Sequence, residues 1–257
     1  MTMILRTICF TLLITSIVIQ PTDAARLRRR ARCRRPQCSP KQCFPETGLP
    51  EMGVVEAATP DLHSTSKLAV RKLFDGKTLG GWKVADQSSF DAHGDVHVRD
   101  GRIELPAGSP ATGIVFTGEP LRVNYELSLD AMRTDGGDFF CGLTFPVKQE
   151  CCSLIVGGWG GGLVGLSNVD SMPASENETT SFQQFKDNQW YRIRLRVSSS
   201  RIEVWIDEEQ LFSLRTEGRT FDIWWEQEPM RPLGIATWYT GAALRDIELR
   251  PLSPEEK

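Results

Sequence analysis

Histidine is scarce in this chain: three in 257 residues, at positions 63, 93 and 97. So small a supply leaves little from which to build a histidine-centred nucleophile triad. The usual catalytic signatures are missing as well. There is no Gly-x-Ser-x-Gly elbow, no His-Glu-x-x-His pair and no Rossmann fingerprint. Long apolar runs are equally few. The stretch from Thr7 to Ile19 is the main one, and it is too short to span a bilayer comfortably. Beyond Val70, signals for helices nearly vanish.

What is present is unevenly distributed. Residues 1–68 hold 10 Lys and Arg against 5 Asp and Glu, whereas the remainder holds 20 against 28. A basic leader thus precedes an acidic domain. Arg6, the apolar run and Pro21-Thr22-Asp23-Ala24-Ala25 read together as a signal peptide over residues 1–25, without a lipobox cysteine, which places the protein outside the cytoplasm. A membrane is a partner only if that segment is retained. Residues 26–68 read as a disordered linker: rich in Arg, Pro, Ser and Thr, they carry too little apolar surface to offset the entropy of ordering. Its seven arginines from Arg26 to Arg35 suit an anionic surface polymer, whereas nucleic acid is not expected of an exported chain. Of seven cysteines, Cys9 leaves with the signal. The remaining six, Cys33, Cys38, Cys43, Cys141, Cys151 and Cys152, form an even set that suits an oxidising compartment.

From residue 69 to 252 the pattern is all β. Short candidate strands occupy 95–99, 102–105, 112–117, 121–131, 139–146, 152–157, 162–166, 189–197, 202–207, 210–215, 232–239 and 242–250, separated by turn clusters such as Asp100-Gly101 and Thr134-Asp135-Gly136-Gly137. One hairpin can be put in register from sequence alone. Tyr191, Ile193, Leu195 and Val197 alternate with arginines, and Ile202, Val204 and Ile206 alternate with Glu203, Trp205 and Asp207. Pairing Val197 with Ile202 sets Leu195 against Val204 and Ile193 against Ile206. The other face then matches Arg196 with Glu203, Arg194 with Trp205 and Arg192 with Asp207. A slip of one residue would set arginines against apolar side chains.

Several stretches are candidates for chemistry. Gly157-Gly158-Trp159-Gly160-Gly161-Gly162 surrounds one indole with glycines, which lets a ligand approach the backbone while Trp159 offers a flat face for a sugar ring. A plain hairpin loop is the alternative. Asn168, Asp170, Glu176, Asn177 and Glu178 follow in a polar loop suited to hydroxyl recognition, and Asn177-Glu178-Thr179 matches a glycosylation sequon. Trp238 adds an aromatic surface near the C-terminal strands. Asp91, His93, Asp95 and His97 alternate, but Gly94 interrupts them, and neither a metal nor a cofactor is assigned.

The decapeptide Leu73-Phe74-Asp75-Gly76-Lys77-Thr78-Leu79-Gly80-Gly81-Trp82 resembles the opening motif of the 3-keto-disaccharide hydrolase domain family, and the hairpin at 189–207 resembles a late segment of that family. The resemblance implies a concanavalin A-like antiparallel β-sandwich, or jelly roll, and a glycan or modified disaccharide as partner. It further implies cleavage of 3-keto-glycosides, in which oxidation at C3 acidifies the C2–H and a base starts elimination. Relatives carry an Asn-Ser-Gly strand followed by a strand with Glu and Gln. Here the first reads Asp138-Phe139-Phe140-Cys141-Gly142-Leu143, so only the glycine matches, and Cys152 to Gly157 supplies neither the acid nor the glutamine. Asp138, Asp170 and Glu176 around Trp159 are the substitute acids expected for catalysis, with Asn168, Asn177, Glu178 and Trp238 as sugar contacts. A non-catalytic carbohydrate-binding or surface-interaction module on the same scaffold is the alternative.

Overall fold

The computed structural model describes residues 69–257. The signal-like segment, the arginine-rich linker and Cys33, Cys38 and Cys43 lie outside the described residues. In chain order the strands are β1 (Arg71–Lys72), β2 (Trp82–Val84), β3 (His97–Arg99), β4 (Arg102–Leu105), β5 (Ala111–Phe116), β6 (Tyr125–Gly136), β7 (Cys141–Val147) and β8 (Glu150–Gly157). There follow β9 (Leu163–Ser167), β10 (Ser181–Phe182), β11 (Tyr191–Val197), β12 (Arg201–Ile206), β13 (Glu209–Arg215), β14 (Gly234–Trp238) and β15 (Thr240–Pro251). They make two antiparallel sheets. One runs β13-β12-β11-β6-β15-β4-β3 with β1 on β15; the other runs β10-β9-β8-β7-β14-β5-β2.

Alternation decides which side chains meet between the sheets. Leu129, Ile193 and Val204 from the first face Ile114, Leu143, Leu154 and Ile235 from the second in one continuous core. Phe140, fully buried, sits edge-on to Phe185 at 5.1 Å between ring centroids, and Phe185 in turn sits edge-on to Tyr191 at 4.9 Å. Burial of one such aromatic side chain is worth about 2–3 kcal/mol.

The hairpin register read from sequence is the one observed: Val197 pairs with Ile202, Leu195 with Val204, Ile193 with Ile206, Arg196 with Glu203 and Arg194 with Trp205. Arg194 lies over the Trp205 indole, 4.4 Å from its centroid. The ionic partners differ from those the pairing predicts. Arg196 bonds Glu126, at 2.9 Å, and Glu256 rather than Glu203; Arg192 bonds Asp130 at 3.1 Å, while Asp207 accepts the Arg192 backbone N–H. The reason is that β11 has a neighbour on each side. β6 places Glu126 opposite Arg196 and Asp130 opposite Arg192, and these carboxylates are the less exposed and better held.

Cys141, Cys151 and Cys152 are buried free thiols. Cys151 and Cys152 are neighbours on β8, and successive strand residues point to opposite faces, so these two thiols do not face one another. Burial pushes the Cys141 thiol up to about 12, which keeps it protonated and unreactive.

The outer face of the seven-stranded sheet is where the site forms. Small residues line it, and other parts of the chain lie on them. Phe90 and Met230 cover Ala111, Val115 and Ala236, while Ala174 sits against Ile155 and Leu163. A methyl group on Gly113 would come within 2.8 Å of the Phe90 ring, and one on Gly165 within 3.0 Å of the Ala174 carbonyl.

Candidate functional site

Three segments meet at one end of this sheet because antiparallel pairing brings them there. Asp138 and Phe139 lead into β7; Gly157 leaves β8; Trp238 closes β14. The Phe140 N–H donates to the Val156 carbonyl, and the Trp238 N–H to the Phe139 carbonyl. A short 3-10 turn, Trp225–Met230, crosses the same end, with Met230 buried against the sheet. Between them is a cleft of about 320 Å³. Phe139 and Ile155 form its floor, while Trp159, Trp224 and Trp238 are its aromatic walls. Its polar groups are Asp138, Glu226 and Gln227.

The glycine run builds the Trp159 wall. Gly157 and Gly161 have φ of 82° and 98°, where L side chains are disfavoured, and the turn bends tightly between β8 and β9. Gly161 is also pinned: its carbonyl accepts from Arg133 Nη1 at 3.2 Å, and a Cβ there would lie 2.7 Å from that nitrogen. Trp159 itself is held at φ 48° with half of its surface exposed, 50%.

Asp138 is half-buried. Its N–H donates to Thr240 Oγ1 at 2.9 Å, and its carboxylate accepts the Phe139 N–H at 2.7 Å. Burial beside the indoles raises its pKa above the usual carboxylate range, and the N–H groups of Phe139 and Trp159 only partly offset this. Gln227 is the second unusual group. It is 4% exposed, and its Oε1 is buried without a partner among the described residues. An orphaned amide oxygen costs about 1–3 kcal/mol, and it is the kind of acceptor that a ligand hydroxyl satisfies.

The structure thus brings Asp138, Trp159 and Trp238 together. The polar-loop candidates do not line this cleft. Asp170 bonds Arg219 at 2.6 Å and accepts the Thr220 N–H at 2.9 Å; the Thr220 bond first, and then Arg219, hold its carboxyl below the usual range. Glu178 pairs with the same Arg219, and Glu176 stays on the surface. Asn168 Oδ1 accepts from Ser167. Asn177 is buried, donates to the carbonyls of Leu166, Met172 and Pro173, and accepts from Thr179, so its amide has nothing left for a ligand or for a sequon's glycan. Glu226 and Gln227 went unread in the sequence. Their only signal is the pair of tryptophans before them, and nothing local places Trp224-Trp225-Glu226-Gln227 beside Asp138.

Comparison with solved structures finds likeness at low identity. Domain 4 of AbnA, a GH43 extracellular arabinanase from Geobacillus stearothermophilus in complex with arabinotriose, is 15% identical with a TM-score of 0.47, over 74% of this chain and 95% of that one. The carbohydrate-binding module CBM66 from Bacillus subtilis is 11% identical with a TM-score of 0.41, over 66% and 95%. A glycosyl hydrolase family protein from Mycobacterium fortuitum is 12% identical with a TM-score of 0.44, over 71% and 97%. No curated protein matches the chain. The family profile of the 3-keto-alpha-glucoside-1,2-lyase-like domain matches residues 69–250, and the chain belongs to that family.

Proposed function

We propose that the cleft binds a 3-keto-glycoside and that Asp138 is the base that opens its glycosidic bond. The observation that carries this is a half-buried carboxylate of raised pKa facing a cleft with three indole walls. A raised pKa makes the ionised form a stronger base. The carboxylate takes the proton from C2, the electron pair of that C–H bond becomes the C1=C2 double bond, and the C1–O bond breaks. The departing oxygen takes a proton from Glu226, the second carboxyl group of the cleft. The Gln227 Oε1, buried without a partner among the described residues, accepts a hydroxyl of the bound sugar and so orients the ring against Asp138. Addition of water across the new double bond completes a net hydrolysis.

One observation favours binding without turnover. Phe90, Met230 and Ala174 pack on the sheet's outer face and cover much of it with apolar side chains, so the equipment for catalysis is thin. Export through the signal-like segment, the concanavalin A-like class of the sandwich and contact of the arginine-rich linker with an anionic surface polymer complete the proposal. The test incubates the full-length protein with 3-keto-glucosides and with the unoxidised sugars, and follows release of the free sugar. Release from the keto form alone, lost in Asp138→Asn, supports the lyase reading. Binding without release supports the module, and neither binding nor release sinks both.

A further inference from the structure

We infer that the sugar site extends beyond the cleft onto Tyr239, so that the preferred ligand is an oligosaccharide longer than a disaccharide; this rests on the reading of the cleft as a sugar site. Tyr239 follows Trp238, whose indole walls the cleft, and its ring stands edge-on to that indole at 5.7 Å and 85°. It is 57% exposed, so the ring gains little from packing. Its backbone nevertheless sits at φ 45°, a left-handed conformation that is strained for a non-glycine residue. Hydrogen bonds hold the chain at Tyr239 and at the residue after it. The Tyr239 N–H donates to the Pro110 carbonyl at 2.7 Å, and the hydroxyl of the next residue, Thr240, accepts the Asp138 N–H. Glycine or asparagine would take this φ at less cost.

Folding therefore does not account for an aromatic ring here. Trp159 shares the left-handed backbone, at φ 48°, and the half exposure, and its own N–H is aimed at the Asp138 carboxylate. Two strained, exposed aromatic residues thus stand close to one acid. Trp159 is a wall of the cleft, whereas Tyr239 adjoins the cleft through Trp238 and leaves more than half of its surface open to a further sugar ring. An apolar ring face over an aromatic side chain is the contact that sugars make without charge or metal.

The test measures binding of unoxidised α-linked gluco-oligosaccharides of two to five residues to the full-length protein by calorimetry, in the wild type, Tyr239→Asn and Trp159→Ala. Asparagine tolerates the backbone conformation, so unchanged thermal stability certifies the fold. The expected result is about three- to tenfold tighter binding of the tetrasaccharide than of the disaccharide. That gain disappears in Tyr239→Asn while the disaccharide affinity stays that of the wild type, and Trp159→Ala weakens every length. Equal affinity at all lengths, or a gain that survives in Tyr239→Asn, overturns the extension and leaves the cleft standing. No binding of any length, keto forms included, overturns the cleft and the extension together.

Discussion

Phe139 stacks on Trp238, with ring centroids 6.2 Å apart and 24° between the ring planes. The contact joins the two small apolar clusters on the outer face of the seven-stranded sheet, because Phe139 packs against both. Its seat depends on Gly142, where a Cβ would lie 2.8 Å from Phe139 Cε2. The single glycine that this chain shares with the Asn-Ser-Gly strand of its relatives thus holds the floor of the cleft rather than a ligand.

Gly142→Ala should displace Phe139 and tilt Trp238. The expected cost is about 1–3 kcal/mol of stability, the usual range for overpacking, with weaker glycan binding and a changed tryptophan emission. Denaturation and fluorescence titration measure both. A variant as stable as the wild type, binding as well, would show that Phe139 has room to spare.

Asp138→Asn should stabilise the fold at neutral pH while abolishing turnover. Burial raises the folded-state pKa of Asp138 above its unfolded value, so the native state keeps a proton that the unfolded chain has already released. Stability contributed by this group is full below the unfolded pKa and is lost as pH rises through the folded one. Denaturation of both proteins across the acid-to-neutral range should therefore show the variant's advantage growing with pH and vanishing in acid. In the wild type, kcat/KM on a 3-keto-glucoside should rise with pH through the same window, because the ionised form is the base. An advantage that shrinks as pH rises would reverse the assigned shift.

Much of the sandwich was legible because period-two alternation between turns is a strong signal, and the hairpin from Tyr191 to Ile206 could be registered to the residue. The strands β1 and β10, two residues each, are too short to carry a pattern. The site was legible only in part. Asp138, Trp159 and Trp238 do line one cleft, but Asp170, Glu176 and Glu178 join Trp159 only by lying close to it in sequence. β9 undoes that grouping. It runs five residues, about 16 Å at the usual rise per strand residue, from the glycine turn to the far end of the sheet, and it delivers the polar loop there. Glu226 and Gln227 arrive by the opposite route, on a turn distant in sequence that Met230 anchors to the sheet, and no local periodicity announces such a contact.

Asn177→Ala should loosen the 168–180 loop without changing the cleft. It removes a buried side chain that donates to three carbonyls and accepts from both the N–H and the hydroxyl of Thr179. Leaving buried carbonyls unpaired costs about 1–3 kcal/mol. Faster amide exchange at Leu166 and Thr179, with glycan affinity unaltered, is the expected result. Lost glycan affinity with unchanged exchange would instead return Asn177 to the ligand contacts named from sequence.

Glu256→Gln should weaken the attachment of the C-terminal turn in a pH-dependent way. Glu256 bonds Arg250 at 2.8 Å, accepts the Ser253 N–H at 2.9 Å and pairs with Arg196. Arg250 foremost, and then the Ser253 N–H, pull its carboxyl from 4.5 down to about 2. A lowered folded-state pKa gives stability that is complete above the unfolded value and is lost as pH falls through the folded one. The ion pairs are partly solvated, which discounts the full linkage value to about 1 kcal/mol at neutral pH. Urea denaturation of wild type and variant should differ by about that amount at pH 7 and converge between pH 4.5 and about 2. Because Glu126 shares Arg196 and Arg250 with Glu256, losing one carboxylate leaves both arginines a buried partner. The loss should therefore stay this small, whereas removal of Glu126 would leave the arginines paired only with the more exposed Glu256 and should cost more.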